Sequence, residues 1–225
     1  MGMLLLYLAA LILIPLWAQS KVKKAYKKYS NVSNSSGMTG ASVAKKILEE
    51  NGIYNVRVEP TKGKLTDHYD PSKKVVRLSE DNYYNSTVAA QAIASHEVGH
   101  AIQDAENYAF LRFRSTLAPV ASTGSNLSFF LILAGILLQS TGMFLAGIVF
   151  FSAAVLFQLV TLPVEFNASS RAMNQIVATG IISNNEERET KKVLDAAALT
   201  YVAAALVAVL ELGRFIAMFL MTSEE

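Results

Sequence analysis

The sequence predicts a mainly α membrane protein, with about four transmembrane helices and a small α+β region folded outside the bilayer. Three observations carry that expectation. Of 225 residues, 52% are hydrophobic and only 17% charged, against about 25% charged in an ordinary soluble domain. The charges are clustered, which leaves four long segments almost free of them. Between the first two of these segments lies a polar stretch with helical and strand-like periodicities. The net charge of +2 gives no reason to expect a nucleic-acid partner. The chain has no cysteine, so disulfides and thiolate-held zinc or iron–sulfur sites are excluded, and any metal must be held by His, Asp or Glu.

The first segment, residues 1–18 (MGMLLLYLAALILIPLWA), ends near Trp17, a residue type of membrane interfaces. Its lysines come after it, at 21, 23, 24, 27 and 28. A cleaved signal peptide has the opposite order, so an uncleaved anchor is expected. Residues 19–115 form the polar region. Thr39 is placed to cap the helix ASVAKKILEENG, whose Val43, Ile47 and Leu48 share a face and whose end is marked by Gly52. IYNVRVEP alternates like a strand that stops at Pro60, and TKGKLTDHYDPSKKVVRLS reads as two strands joined by a turn at DPS. From about Ser86 to beyond Gln103 the pattern is helical. Residues 116–164 read as a helical hairpin. Leu127–Leu138 is too short to span a bilayer, which takes about 20 apolar residues, but it extends back through the uncharged Thr116–Asn126; Gly142–Leu162 follows the QST turn. A polar segment, 165–194, precedes the last span within 195–225, Ala196–Met221, in which Glu211 and Arg214 are spaced to pair at an interface.

Lysine and arginine accumulate on the cytoplasmic side of membrane segments. Five lysines follow the first span, Arg112 and Arg114 precede the second, Arg171 follows the third, and Arg188, Lys191 and Lys192 precede the fourth; the loop between the second and third has none. If all four segments cross, every basic cluster falls on one side. The amino terminus, the QSTG loop and the closing TSEE would then lie outside, with 19–115 and 165–194 in the cytoplasm.

Two of the three histidines stand in HEVGH, residues 96–100. On a helix, residues four apart differ by about 40° in azimuth, so His96 and His100 can chelate one zinc ion, and Glu97 can take a proton from water beside it. Gly99 would keep the space beside the metal open, and alanines at 89, 90, 92, 94 and 101 would admit close neighbours. The plain alternative is two polar surface histidines. A third ligand has three sources. Glu106 sits where the pattern HExxHxxGxxH ends, but position 103 is Gln, not the glycine that pattern needs. His68 lies on the strand pair and could be a ligand, but reads more readily as an ordinary polar strand residue. Glu165, in LPVEFNASSRA, follows a hairpin that leaves and returns to one side, which carries it back to the face of His96 and His100; alone it would read as an interfacial residue. Two histidines and a glutamate with an open fourth position make a catalytic zinc site.

HEVGH after a polar amino-terminal region, then an apolar hairpin and VEFNASSRA, together with LTDHYDPSKKVVRLS, resembles the bacterial YugP-type neutral zinc metallopeptidase family over nearly the whole chain. More distantly, the arrangement is similar to the membrane gluzincins of the CAAX-protease and HtpX type, in which a downstream Glu on a second helix is the third zinc ligand. The resemblance implies a multi-pass protein of the bacterial cell membrane with a zincin-like cytoplasmic region. It also implies one Zn²⁺ per chain held by His96, His100 and Glu165, with Glu97 as general base of peptide-bond hydrolysis. Those distant relatives carry Glu-x-x-x-Asp, the Asp supporting a zinc-bound histidine. Here Ser169 takes its place, so Asn167, Asp104 or a water would have to serve. Candidate donors to the oxyanion are Arg171, otherwise a positive-inside anchor, and His68 or Tyr69, otherwise ordinary strand residues. KVVRLS could pair with an extended peptide or protein substrate, or be an internal strand. Other readings of the same motif are a non-proteolytic membrane adaptor or assembly factor retaining the zincin fold, and a zinc hydrolase of a non-peptide bond.

Overall fold

The structure, a computed structural model, describes residues 2–223, so Glu224 and Glu225 of the closing TSEE lie outside the described residues. Along the chain run α1 (Gly2–Tyr29), α2 (Gly40–Glu50), β1 (Arg57–Thr61), β2 (His68–Asp70), β3 (Val75–Ser79), α3 (Glu80–Tyr84), α4 (Val88–Ala105), α5 (Ala109–Leu137), α6 (Thr141–Ala178) and α7 (Asn184–Ser223). The protein is therefore mostly helical with a small mixed sheet. It divides into two compact units: an apolar one of the residues up to Pro15, Ala109–Pro163 and those from Tyr201, and a polar one of Leu16–Tyr108 and Val164–Thr200.

Four helices are long and apolar enough to cross a membrane, over Leu5–Tyr29, Ala109–Leu137, Thr141–Ala178 and Glu186–Thr222. In the apolar unit their large side chains largely face outward: Leu6, Phe129, Phe130, Leu137, Val149 and Leu220 are exposed. Such a surface is far larger than a water-soluble protein tolerates and suits lipid. The interior is thin by comparison. Ile132, Phe144 and Ile148 form its centre, with Leu212, Phe215, Met218 and Phe219 of α7 against them. Glu211 and Arg214 do pair, at 2.7 Å, and Arg214 Nε donates to the Tyr7 hydroxyl at 3.2 Å.

The polar unit is built around α4. Val43, Ala44, Ile47 and Leu48 of α2, Val76 and Leu78 of β3, Ala94, Val98, Ala101 and Ile102 of α4, and Ile176 of α6 share one core. Burying an aliphatic side chain of this kind contributes about 1.5–3 kcal/mol. Thr39 caps α2 by accepting from Ser42 N, as its position suggests. The sheet order is β1-β3-β2, with β1 parallel and β2 antiparallel to β3. The central β3 is buried on both faces, so KVVRLS is the internal strand and is not available to an extended substrate. Pro60 does not stop β1, which continues to Thr61; β1 is an edge strand, where a missing N–H costs no ladder bond.

Two other boundaries differ from expectation. The five-residue α3 precedes the long helix, with Asp67 accepting from Ser79 N at 2.7 Å and Asn82 Nδ2 at 3.0 Å around its start. And α6 does not end at Leu162: it runs through Pro163 to Ala178. A proline removes one backbone hydrogen bond but need not end a long helix whose neighbours support it. The helix stops where Gly180 adopts φ 62° and Ile181 N reaches back to Ile176 O at 3.0 Å, the left-handed cap that glycine permits.

Candidate metal centre

The centre joins α4 to the second half of α6. Alanines at 89, 90, 92, 94 and 101 bury α4 on nearly every side, and small residues let helices approach. The tightest approach is at Gly99. A Cβ there would lie 2.5 Å from the Ala168 carbonyl oxygen, well inside van der Waals contact. Gly99 thus serves the contact with α6 rather than open space beside a metal, and this contact brings α6 against the motif face.

On that face His96, His100 and Glu165 converge, with ligand atoms all within 4.8 Å of one another. Glu165 Oε2 is 3.2 Å from His96 Nε2 and 3.5 Å from His100 Nε2. Donors around a tetrahedral zinc with bonds of about 2.0–2.2 Å stand roughly 3.3–3.5 Å apart, so the two spacings from Glu165 are close to those the ion needs. The chemistry of the donor set fits as well: two imidazole nitrogens and a carboxylate oxygen turned toward one point are donors that zinc takes. The rings meet edge to face, centroids 4.8 Å apart. Glu165 is 2% exposed and His100 9% exposed, which sets aside the surface-histidine alternative.

Each ring is held from behind. Ser169 Oγ lies 3.2 Å from His96 Nδ1, so the serine at the relatives' aspartate position itself reaches the ring. Gln103 Oε1 lies 3.0 Å from His100 Nδ1. Asn167 touches neither histidine; its Oδ1 accepts from Gln103 Nε2 at 2.9 Å and Arg171 Nε at 2.7 Å. Asp104 faces the sheet instead, accepting from the Tyr69 hydroxyl at 2.5 Å and Lys74 Nζ at 2.6 Å. Gln103 is the residue that sequence reasoning missed. Its signal was position, three residues past His100 and so on the same helix face.

The remaining candidates are engaged elsewhere. Glu106 pairs with Arg171 Nη1 at 2.7 Å. His68 is on the exposed edge strand β2, its Nδ1 2.8 Å from Thr66 O. Neither joins the cluster of three. Arg171 and Tyr69, considered as oxyanion donors, already donate to Asn167 and Asp104.

Glu97 is buried beside the cluster. Burial pushes its carboxyl above the ordinary carboxylate range, against the opposing pull of His96 and His100. For His100, burial works to lower proton affinity, but the hydrogen bond and charge of Glu165, with Glu97, outweigh it and raise the pKa. The site therefore attracts positive charge, and a metal entering it displaces a proton.

A sequence profile of the family described as "Putative neutral zinc metallopeptidase" matches residues 4–220. A relative from Bacillus subtilis (strain 168), described as "Putative membrane protease YugP", is 56% identical over 209 residues, covering 93% of each chain. No solved structure matches. With the profile spanning almost the whole chain and the relative so similar, this protein belongs to that zinc metallopeptidase family.

Proposed function

We propose that the protein is a membrane-embedded zinc endopeptidase that holds one zinc ion per chain through His96, His100 and Glu165 and uses Glu97 as general base. The observation that carries this reading is the convergence of the three ligand atoms, with Glu165 Oε2 3.2 and 3.5 Å from the two Nε2 atoms. When bound, the ion supplies a Lewis acid that polarises a peptide carbonyl and acidifies water. The Glu97 carboxylate takes the proton from the attacking water and returns it to the leaving amine, and its raised pKa suits both transfers. Ser169 and Gln103 orient the two rings. A ligand helix backed by a mixed sheet, with the acidic ligand on a second helix, is a zincin-like and gluzincin-like arrangement. The test uses detergent-purified protein. It should contain about one zinc per chain and cleave peptides from a mixed library, lose both properties to a chelator, and regain both with zinc. A chain that holds zinc and cleaves nothing would instead support the adaptor or non-peptide hydrolase readings.

The same reading sets the protein in the bacterial cell membrane with the polar unit in the cytoplasm. The 1–18 anchor, the 116–164 hairpin and the 195–225 helix would span the bilayer, and the segments 19–115 and 165–194 would carry the site. The one-sided distribution of lysine and arginine supports this. A reporter fused after Leu138 should respond as an extracytoplasmic one; a cytoplasmic response would refute the topology.

A further inference from the structure

A neutral imidazole offers a metal the lone pair of one nitrogen only while the proton sits on the other. At His100 the position of that proton follows from hydrogen bonds whose direction is forced. Arg171 can only donate, and its Nε is 2.7 Å from Asn167 Oδ1; the oxygen of that amide must face it. The same oxygen is 2.9 Å from Gln103 Nε2. The Val164 carbonyl can only accept, and it is 2.8 Å from the same nitrogen. Both N–H bonds of Gln103 are thereby directed, and its Oε1 is turned to His100. Nδ1 of His100, 3.0 Å away, must then be the donor, and in the neutral ring Nε2, on the side of Glu165, is the nitrogen left with a lone pair for a metal.

We propose that Gln103, oriented by Asn167 and Arg171, is a positioning residue that sets the tautomer and ring direction of His100 for metal binding. Gln103 and Val164 are fully buried, where leaving either partner unpaired is costly, so the amide has little freedom to turn over. Arg171 is steadied in turn by Glu106 at 2.7 Å and by the face of Tyr108, 5.9 Å from its guanidinium carbon. Arg171 thus belongs to a relay to the site, and Glu106, considered above as a ligand, supports His100 through Arg171, Asn167 and Gln103. The chain ties α4 to α6 at four points, two on each helix: Gln103 and Glu106 on or at the end of α4, Asn167 and Arg171 on α6.

The inference rests on the metallopeptidase reading, and two readouts keep the two separable. The first is zinc affinity of the purified full chain by chelator competition. Gln103→Met and Asn167→Leu should each weaken zinc binding by about 10–100-fold. Asn167→Asp, which still accepts from both Gln103 and Arg171, should bind zinc clearly more tightly than Asn167→Leu. A Gln103→Met protein that melts like wild type when metal-free and binds zinc equally well would overturn the proposal, as would an Asn167→Asp protein as weak as Asn167→Leu. The second readout is the ¹⁵N spectrum of the His100 ring in metal-free protein, at a pH where the ring is neutral. The wild type should show the proton on Nδ1, and Gln103→Met a mixture of tautomers. A wild-type ring protonated on Nε2 would overturn the proposal even if the variants did not fold. If the wild type took up no zinc, the metallopeptidase reading would fall, while the tautomer would still decide this one.

Discussion

Glu97→Gln should lower kcat/KM for peptide cleavage by about 10²–10⁴-fold, the range that a positioned general base contributes, and leave zinc content unchanged. The substitution keeps the shape of the side chain and removes only its ability to take a proton. Glu97 is not one of the three converging ligands, so the metal has no reason to leave. Its environment also argues for a proton carrier. Burial raises its proton affinity while the two histidines beside it hold that rise in check, which brings a carboxylate nearer to the pH at which it must both accept and release a proton. The measurement is steady-state cleavage alongside metal analysis of one preparation. Retained activity would mean that another group is the base; lost zinc would mean that Glu97 holds the metal or its neighbours in place.

Glu165→Ala should cost the site its metal. Removal of a residue that only supports a ligand weakens binding about 10–100-fold, and the loss of a ligand should exceed that, so that dialysed protein retains little zinc. In wild type the carboxylate faces both Nε2 atoms, at 3.2 and 3.5 Å; without it only two imidazole ligands remain, and the local charge favours a cation less. The fold should survive, because α4 and α6 are also joined by the Gly99–Ala168 contact and by the core that includes Val98, Ile102 and Ile176. Metal analysis by mass spectrometry, with a thermal melt in chelator as the control for folding, reads the result. Unchanged zinc stoichiometry would remove Glu165 from the ligand set.

What the sequence made legible was local or periodic. The Thr39 cap, the buried face of α2, the strand–turn–strand around DPS and the alanine-lined α4 all follow from residues within a few positions of one another. Glu165 was within reach for a different reason: the positions of lysines and arginines suggested which segments share a side. What stayed hidden depended on partners far along the chain. Ser169 looked like a missing aspartate, yet it approaches a ring 73 residues away. Gln103 looked only like the wrong residue for a glycine turn, since its acceptors lie more than sixty positions on. Gly99 suggested room for a metal, and only the position of Ala168 shows that the room is taken by backbone. A five-residue helix such as α3 is too short to show a period at all.

The order in which the ligands occur has a consequence for biogenesis. His96 and Glu165 are separated by 69 residues, and the segment between them contains α5 and most of the apolar length of α6. A ribosome that has already released the HEVGH helix has still to make that hairpin before the proposed third ligand exists. A chain truncated or stalled within the hairpin carries a two-histidine helix and no complete zinc site. On the proposed ligand set, a nascent peptidase is therefore harmless to its surroundings until its membrane hairpin has been synthesised.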